Sequence, residues 1–262
     1  MVESKKPMGH GVSVKNLWMA YADAEERGKT RVILEDVSLD IAEREFVCVL
    51  GPSGCGKSTL LRIVAGLEKQ SLGTVETSSR PSVVFQEHGV FPWLTAAQNI
   101  AYPLRLRGVP KAERTQRVNE LLDMMGLKDF ASYYPGQISG GMRQRVSVAR
   151  ALADDGGVLL MDEPFGALDE QTRVSLQQEL LRIWEQTSKS VMFITHSVDE
   201  ALTLADRVLV MSTRPGRIIE EIKIPFGRPR DILALRRDPV YGEITSRLWE
   251  LLGKHPQGKS AS

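Results

Sequence analysis

The chain has 262 residues, of which 42% are hydrophobic and 26% charged, which suits one large α/β domain or a core domain with a modest second lobe. The formal net charge of +1 gives no reason to expect nucleic acid as a partner. No apolar run approaches the roughly 18 residues of a membrane span, and the first residues lack the apolar core of a signal peptide, so we expect a cytoplasmic chain.

The first predicted elements are edge strands within residues 12–41, where Val37, Leu39 and Ile41 alternate with polar residues. Short apolar runs without alternation follow. They are FVCVL (46–50), SVVFQ (82–86), VLLMD (158–162), VMFIT (191–195) and VLVMS (208–212). Unbroken apolar strands separated by helical patterns predict a parallel sheet covered on both faces by helices. The fold class is therefore α/β, with an antiparallel β subdomain at the edge of a parallel core.

Helical patterns fill the intervals between these strands. The apolar stripes are Val118, Leu121, Leu122 and Met125 before a C-cap at Gly126; Leu176, Leu180, Ile183 and Trp184; and Val198, Ala201, Leu202 and Ala205 behind a capping box of Ser197 and Glu200. Between Gln86 and Asp162 only helical patterns and loops occur. We therefore predict that residues 88–150 form a helical subdomain inserted into a core domain of residues 1–225.

Residues 226–262 have the character of an appendage. An amphipathic helix is predicted there from the spacing of Val240, Ile244, Leu248, Leu251 and Leu252. The polar stretch KHPQGKSAS after it is predicted to be a disordered tail.

The strand at 46–50 runs into GPSGCGKST, which matches the phosphate-loop pattern G-x-x-x-x-G-K-[ST]. The glycines let the backbone wrap a triphosphate, Lys57 offers a positive charge to the terminal phosphates, and the Ser58 hydroxyl can bind Mg²⁺. The helix that follows presents its N-terminus to the phosphates. We therefore assign nucleotide binding to Gly51, Pro52, Ser53, Gly54, Cys55, Gly56, Lys57, Ser58 and Thr59.

Polar residues end three further predicted strands, and α/β sheets bind ligands at the carboxyl ends of their strands. Asp162 would hold Mg²⁺ through water, and Glu163 would orient the attacking water. We predict that Lys57, Glu163, Gln86 and His196 are catalytic residues, with Gln86 and His196 beside the γ-phosphate and Gln86 also a metal ligand. Each residue has a plainer alternative: a solvated turn for the acidic pair, a polar strand end for Gln86 and a structural histidine for His196.

A second glycine-rich stretch, ISGGMRQR (138–145), lies in the predicted helical subdomain. Ser139, Gly140 and Gly141 would open a helix and leave backbone N–H groups free for an anion. Because the triphosphate already has a cradle at 51–58, the simplest geometry assigns this helix start to the nucleotide of another molecule. Two copies arranged head-to-tail would then sandwich two ATP molecules in a closed, two-fold pair. The plainer alternative is a helix start that merely contains flexible glycines.

The ordered set of motifs resembles the ATP-binding-cassette ATPases over roughly residues 12–225. The resemblance implies that the Ser-Gly-Gly stretch binds nucleotide across a dimer interface, that Asp169 lies in the loop linking the two sites, and that an aromatic residue before the phosphate loop stacks on adenine. We assign Tyr21 to this last role, with Trp18 or a purely structural tyrosine as alternatives. The family signature usually reads Leu-Ser-Gly-Gly-Gln, whereas this chain has Ile138 and Met142 at its ends, which leaves a side-chain contact from position 142 in question.

Within that family, the stretches VVFQEHGVFPWLTAAQNI, LLMDEPFGALDEQTR and STRPGRI most resemble the import ATPases for nitrate, sulfonate and taurine. The resemblance implies a peripheral subunit on the cytoplasmic face of the plasma (inner) membrane. Its cofactors would be ATP and Mg²⁺. Its partners would be a second ATPase subunit, either identical or a close paralogue, an integral-membrane permease and, indirectly, an extracytoplasmic solute-binding protein.

In such an importer, ATP closes the dimer, and closure pulls a permease helix that is docked near Gln86. Residues 90–93 (Val-Phe-Pro-Trp) follow Gln86 closely and form an apolar patch. We predict that this patch receives the permease helix; the alternative is that it is buried in the helical subdomain.

Three other classes of protein remain as alternatives. A GTPase or small-molecule kinase is disfavoured because the guanine-reading pattern Asn-Lys-x-Asp is missing and because a Ser-Gly-Gly stretch before a helix has no role in such enzymes. A DNA-repair cassette is disfavoured because there is no long coiled-coil insertion and there are no zinc cysteines. An exporter or lipid transporter differs in its permease, which this sequence does not contain.

Overall fold

The computed structural model describes residues 9–22, 30–86, 89–154, 156–166, 168–187 and 189–253, apart from the side chain of Leu233. The strands in these ranges are β1 (His10–Ala22), β2 (Thr30–Ala42), β3 (Phe46–Leu50), β4 (Leu72–Thr77), β5 (Ser82–Val84), β6 (Val158–Asp162), β7 (Ser190–Thr195), β8 (Arg207–Met211) and β9 (Ile218–Lys223). The α-helices are α1 (Lys57–Val64), α2 (Ala96–Leu106), α3 (Lys111–Met124), α4 (Gly140–Ala153), α5 (Glu170–Glu185), α6 (Val198–Leu204), α7 (Ile232–Leu235) and α8 (Pro239–Gly253).

The larger sheet has the strand order β5-β6-β7-β3-β8-β9, and all its neighbouring pairs are parallel except β8 with β9. Every residue of β3, β6 and β7 is buried. The unbroken apolar character of β3 arises because its alternate residues enter two different cores, Cys48 and Leu50 on one face and Val47 and Val49 on the other. The predicted α/β class with a parallel core is confirmed.

Two strands of this sheet differ from the sequence prediction. The run 82–86 is a strand only as far as Val84, so Gln86 lies two residues beyond the strand end. The antiparallel edge strand β9 was not predicted, because charged residues interrupt its apolar positions. Of its six residues, only Ile222 is buried, as suits a strand that pairs on one side alone.

The smaller sheet is antiparallel, with the order β2-β1-β4. Alternate residues of β2, among them Val37, Leu39 and Ile41, are buried against the larger sheet and α1, as their pattern predicts. Residues 30–42 therefore position the phosphate loop from one side, since Leu34 of the same strand packs in this core.

Residues 89–154 contain helices and loops, and no strand is found in that described range. Helices α2, α3 and α4 pack on one another. Val118, Leu121, Leu122 and Met125 are buried as predicted, and α3 ends just before Gly126, whose φ of 62° is the left-handed conformation expected of a glycine after a helix.

The predicted capping box at α6 is half correct. The Ser197 hydroxyl accepts a hydrogen bond from the Glu200 backbone N–H at 3.3 Å. The return bond from the Glu200 carboxylate is absent, because the Thr195 hydroxyl already accepts from the Ser197 N–H at 2.9 Å. The Glu200 carboxylate instead accepts a hydrogen bond from that same hydroxyl, at 2.5 Å. Thr195 therefore satisfies the donor that the capping box assigned to Glu200.

Helix α8 lies within the predicted amphipathic segment, but its buried face differs from the prediction. Tyr241 and Leu248 are the buried residues, whereas Val240 is exposed. The other predicted members, Ile244, Leu251 and Leu252, pack partly against the core. The predicted tail at 254–262 lies outside the described residues.

The C-terminal segment contacts the beginnings of two core helices. The Tyr241 hydroxyl donates a hydrogen bond to Asp199 at 2.6 Å. The Arg236 guanidinium lies 3.5 Å from the Asp199 carboxylate and 3.9 Å from that of Glu170. Helices α7 and α8 are thereby joined to the first turns of α5 and α6. No helix in the described ranges has the length and apolar character needed to cross a bilayer.

Candidate functional site

The predicted phosphate loop connects β3 to α1 and takes a path that needs glycine. Gly54 and Gly56 have φ values of 76° and 99°, in the left-handed region. A Cβ at Gly56 would also lie 2.6 Å from Leu34 Cδ2. The Lys57 side chain is buried inside the loop, and its ammonium donates to the carbonyls of Gly51 and Pro52 at 2.7 and 3.1 Å. The loop therefore presents the N-terminus of α1 with a buried cation at its base.

Ser58 and Asp162 meet beside this loop, although 104 residues separate them. The Ser58 hydroxyl donates to Asp162 Oδ1 at 3.0 Å. Burial raises the pKa of the Asp162 carboxyl, and the hydrogen bond from Ser58 opposes that rise. Serine and carboxylate oxygens are hard ligands of the kind that Mg²⁺ prefers. The described residues contain no cluster of three acidic, histidine or cysteine side chains that could hold a metal. The Ser58 hydroxyl and the Asp162 carboxylate fit a Mg²⁺ ion that also binds phosphate oxygens.

Glu163 lies between the phosphate loop and the end of β7. Its Oε1 is 3.7 Å from Lys57 Nζ, and its Oε2 is 3.0 Å from His196 Nδ1. The backbone of Glu163 has a φ of 43°, an unfavourable value for a residue with a side chain. Its N–H donates to the Ile194 carbonyl at 3.0 Å, which fixes this conformation to β7. The carboxylate is therefore held in place by contacts from the start of α1 and from the end of β7.

A cavity of about 460 Å³ collects most of the predicted nucleotide-site residues. Its predicted members are Tyr21, Ser53, Gly54, Gly56, Lys57, Ser58, Thr59, Gln86 and Glu163. Gly51, Pro52 and Cys55 belong to the same loop but do not line the cavity, while Asp162 and His196 contact it through Ser58 and Glu163. The geometry thus brings together residues from β1, the phosphate loop, the segment after β5 and the end of β6.

Three cavity residues were missed by sequence reasoning, namely Arg31, Ile33 and Arg214. Arg31 and Ile33 are alternate residues of β2, and a strand pattern alone gives no sign that such positions face a ligand. Arg214 belongs to the stretch STRPGRI, which was noticed only for its resemblance to relatives. No spacing rule connects that stretch to the phosphate loop.

Tyr21 is better placed than Trp18 to reach a bound nucleotide. It lines the cavity, and its hydroxyl donates to the Glu68 carboxylate. Trp18 is paired with Leu72 of β4 and is not among the cavity's lining residues. This placement supports the assignment of Tyr21 to adenine stacking, which stays a prediction.

The Ser-Gly-Gly stretch lines a second cavity, of about 490 Å³, which shares no lining residue with the first. The Ser139 hydroxyl caps α4 by accepting from the Met142 N–H at 3.2 Å. Asp169 caps α5 by accepting from the Thr172 N–H at 3.0 Å, and this hydrogen bond lowers the pKa of the Asp169 carboxyl. Two helix N-termini therefore face this cavity, and Asp169 lies here and not in the first cavity. Ala167, the first residue of the predicted Ala-Leu-Asp stretch, lies outside the described residues.

A comparison with protein families gives a match to the model described as ABC transporter, over residues 34–166. The chain belongs to the ABC transporter family. Among its relatives, the taurine import ATP-binding protein TauB of Pseudomonas aeruginosa is 46% identical over 236 residues, which cover 86% of this chain and 90% of TauB. An uncharacterized ABC transporter ATP-binding protein of Methanocaldococcus jannaschii is 46% identical over 88% of both chains.

Solved structures support the same assignment. The dimeric structure of the bacterial ABC transporter cassette MJ0796 superimposes with a TM-score of 0.73 at 33% identity and covers 82% of this chain and all of that one. A post-hydrolysis state of the same cassette, bound to ADP and Pi, gives a TM-score of 0.72 at the same identity. The ABC ATPase described here accordingly hydrolyses ATP, with Mg²⁺ as the cofactor that neutralises phosphate charge.

Replacing Asp162 with asparagine is expected to raise the Mg²⁺ concentration needed for half-maximal ATP turnover by roughly 10–100-fold. The amide keeps the shape of the side chain but removes the negative charge 3.0 Å from the Ser58 hydroxyl. A Mg²⁺ titration of phosphate release measures the change. Asp123→Asn, at an exposed aspartate of α3, is the matched control. An unchanged Mg²⁺ requirement in the Asp162 variant would remove this residue from the metal site.

Proposed function

We propose that this ABC ATPase is the energy-supplying subunit of an importer and works as a head-to-tail pair with a second ATPase subunit. The observation that carries the proposal is the separation of the phosphate loop and the Ser-Gly-Gly helix start into two cavities of one chain. In a closed two-fold pair, the second cavity of each chain faces the first cavity of its partner. Each of two ATP molecules then receives a phosphate loop from one chain and a helix N-terminus from the other.

Within the pair, each residue has a distinct task. Lys57 and Ser58 would hold the terminal phosphates and the metal, and Asp162, which accepts a hydrogen bond from Ser58, would support the metal. Glu163 accepts a hydrogen bond from the attacking water and orients it towards the γ-phosphate. His196 holds the Glu163 carboxylate from the side of β7, and its 57% exposed side chain is proposed to contact the γ-phosphate. Gln86, an exposed residue that lines the cavity, is proposed to contact the metal and the attacking water.

The cargo is proposed to be a small anion such as nitrate, a sulfonate or taurine. The support is the similarity to several proteins named as taurine import ATP-binding proteins, from Pseudomonas, Roseobacter and Rhizobium species. The subunit would lie on the cytoplasmic face of the inner membrane beneath a permease. An extracytoplasmic solute-binding protein would deliver the solute from the other side, and the choice of solute would lie with these two partners.

The patch at residues 90–93 is proposed to receive the permease. The Trp93 side chain is 70% exposed, and its ring lies 5.5 Å from that of the half-buried Phe91, whose ring is 4.7 Å from that of Tyr102 at an angle of 54°. The fully buried Asn99 holds the loop by accepting from the Phe91 N–H, and its amide nitrogen, with two N–H donors, lies within hydrogen-bond distance of three loop carbonyls. An exposed aromatic surface on a fixed backbone is well suited to binding a partner helix.

Trp93→Ala is expected to weaken binding to the permease by about 30-fold, because buried tryptophans at interfaces commonly dominate affinity. ATP turnover of the isolated chain should stay within about twofold of wild type, since surface changes away from a site have small effects. Trp249→Ala removes the same side chain from an exposed position of α8 and is the matched control. Co-purification with the permease measures binding. Equal binding by both variants would show that the 90–93 patch is not the docking surface.

Reconstitution tests the proposed function as a whole. Proteoliposomes that carry the permease and this chain should accumulate taurine on the ATPase side when ATP and the solute-binding protein are supplied on their respective sides. Movement of solute away from the ATPase side would instead identify an exporter. Turnover by a strictly unpaired chain at the full rate of the assembly would contradict the head-to-tail pair.

A further inference from the structure

The turn between β8 and β9, residues 212–217, lies directly against the phosphate loop. Gly216 donates its N–H to the Ile33 carbonyl at 2.8 Å and accepts from the Glu35 N–H at 3.0 Å. A Cβ at Gly216 would lie 2.0 Å from the Cys55 carbonyl oxygen, so only glycine allows this approach. The Ser212 hydroxyl closes the turn by donating to the Pro215 carbonyl and accepting from the Arg217 N–H. The turn is therefore fixed to both β2 and the phosphate loop.

Arg214 extends from this fixed turn into the nucleotide cavity. It lines the cavity together with Lys57 and Ser58. Its Nη2 lies 3.8 Å from the position that a Cβ on Gly54 would occupy, which places the guanidinium beside the phosphate loop.

Among the described residues, no ion pair or hydrogen bond is found for the guanidinium of Arg214, nor for that of Arg31, the other arginine that lines the cavity. By contrast, Lys57 is bonded to two carbonyls and lies near Glu163, and Arg217 of the same turn pairs with Glu35. A guanidinium carries five N–H donors in a planar fork that matches a phosphate group, and it keeps its charge at any physiological pH.

We propose that Arg214 is an additional nucleotide-binding residue, which donates hydrogen bonds to the polyphosphate of the ATP held by the same chain. The inference rests on the nucleotide site of the proposed function and adds a residue from outside the phosphate loop to it. Because the turn is already fixed by backbone contacts, little ordering is required when the nucleotide binds. Arg214 thereby joins the β8–β9 turn to the bound phosphates.

The test measures binding of a fluorescent ATP analogue by the full chain, and then its displacement by ATP and by inorganic triphosphate. Arg214→Ala is expected to weaken both competitors by a similar factor of roughly 10–100-fold. Arg214→Lys should fall between alanine and wild type, because lysine keeps the charge without the planar fork. Arg217→Ala, from the same turn, is the control and should bind both competitors as wild type does. Thermal unfolding of each variant confirms that the fold is retained.

Two results would overturn the proposal. Unchanged binding of both competitors by Arg214→Ala would show that the guanidinium does not reach the nucleotide. Weaker binding of ATP with unchanged binding of inorganic triphosphate would assign Arg214 to the ribose or the base and not to the phosphates. Failure of the wild-type chain to bind the analogue at all would contradict the nucleotide site itself, which separates the two hypotheses.

Discussion

Glu163→Gln is expected to bind ATP close to the wild-type level and to lower turnover by about 10²–10⁴-fold, the usual contribution of a general base. Glutamine has the same shape as glutamate, so the contact with His196 at 3.0 Å can persist as a hydrogen bond. The amide cannot draw a proton from water, however, and it gives up the attraction to Lys57 Nζ at 3.7 Å. The substitution should therefore preserve ATP binding while it slows hydrolysis.

Phosphate release and size-exclusion chromatography together measure this prediction. With ATP and Mg²⁺ present, the Glu163 variant should accumulate as a dimer, because the nucleotide that joins the two chains is not consumed. Glu243→Gln, at an exposed position of α8, makes the same chemical change away from the site and should behave as wild type. Wild-type turnover by the Glu163 variant would show that another group activates the water.

Ser139→Arg is expected to abolish turnover while the isolated chain still binds ATP. The arginine would fill part of the 490 Å³ cavity that the partner's nucleotide is proposed to enter, yet this cavity shares no residue with the chain's own phosphate loop. The same change also removes the cap that accepts the Met142 N–H, which costs about 1 kcal/mol of stability.

Three variants separate these effects. Ser139→Ala loses the cap without adding bulk, so its unfolding free energy reports the stability cost alone. Ser132→Arg places the same side chain at an exposed position of the same region and should turn over ATP normally. Loss of ATP binding by a folded, isolated Ser139→Arg chain would show that Ser139 belongs to the chain's own nucleotide site.

The phosphate loop was predictable because all the residues that define it lie within nine consecutive positions. The sequence also showed that strands end in Asp162-Glu163 and in His196, but it did not show that these two strands are neighbours. The pairing of β6 with β7 brings Glu163 to His196, and this pairing arises from the packing of the whole sheet. The sequence therefore indicated which polar residues lie at strand ends, but it did not indicate which of them contact each other.

The residues that the sequence did not reveal share a physical reason. Arg214 reaches the phosphate loop because Gly216 can approach Cys55 closely, and a contact of that kind leaves no periodic pattern. At α6, the Thr195 hydroxyl competed successfully with the Glu200 side chain for one backbone donor. In α8, Tyr241 is buried in place of Val240, and its hydroxyl donates a hydrogen bond to Asp199. Each outcome depended on a partner far away in the sequence or on competition between two groups.

The contacts of Arg236 and Tyr241 determine how this subunit should be dissected. A chain cut after residue 225 to obtain a minimal cassette would lose both residues. Asp199 would then lack the Arg236 guanidinium, which lies 3.5 Å away and balances its charge, and the Tyr241 hydroxyl, which donates a hydrogen bond to it at 2.6 Å. Asp199 and Glu170, which Arg236 also approaches, lie in the first turns of the helices that follow His196 and Asp169, so trimming would alter the electrostatics beside both of those residues. Kinetic constants measured on a shortened chain would therefore not apply to the full chain.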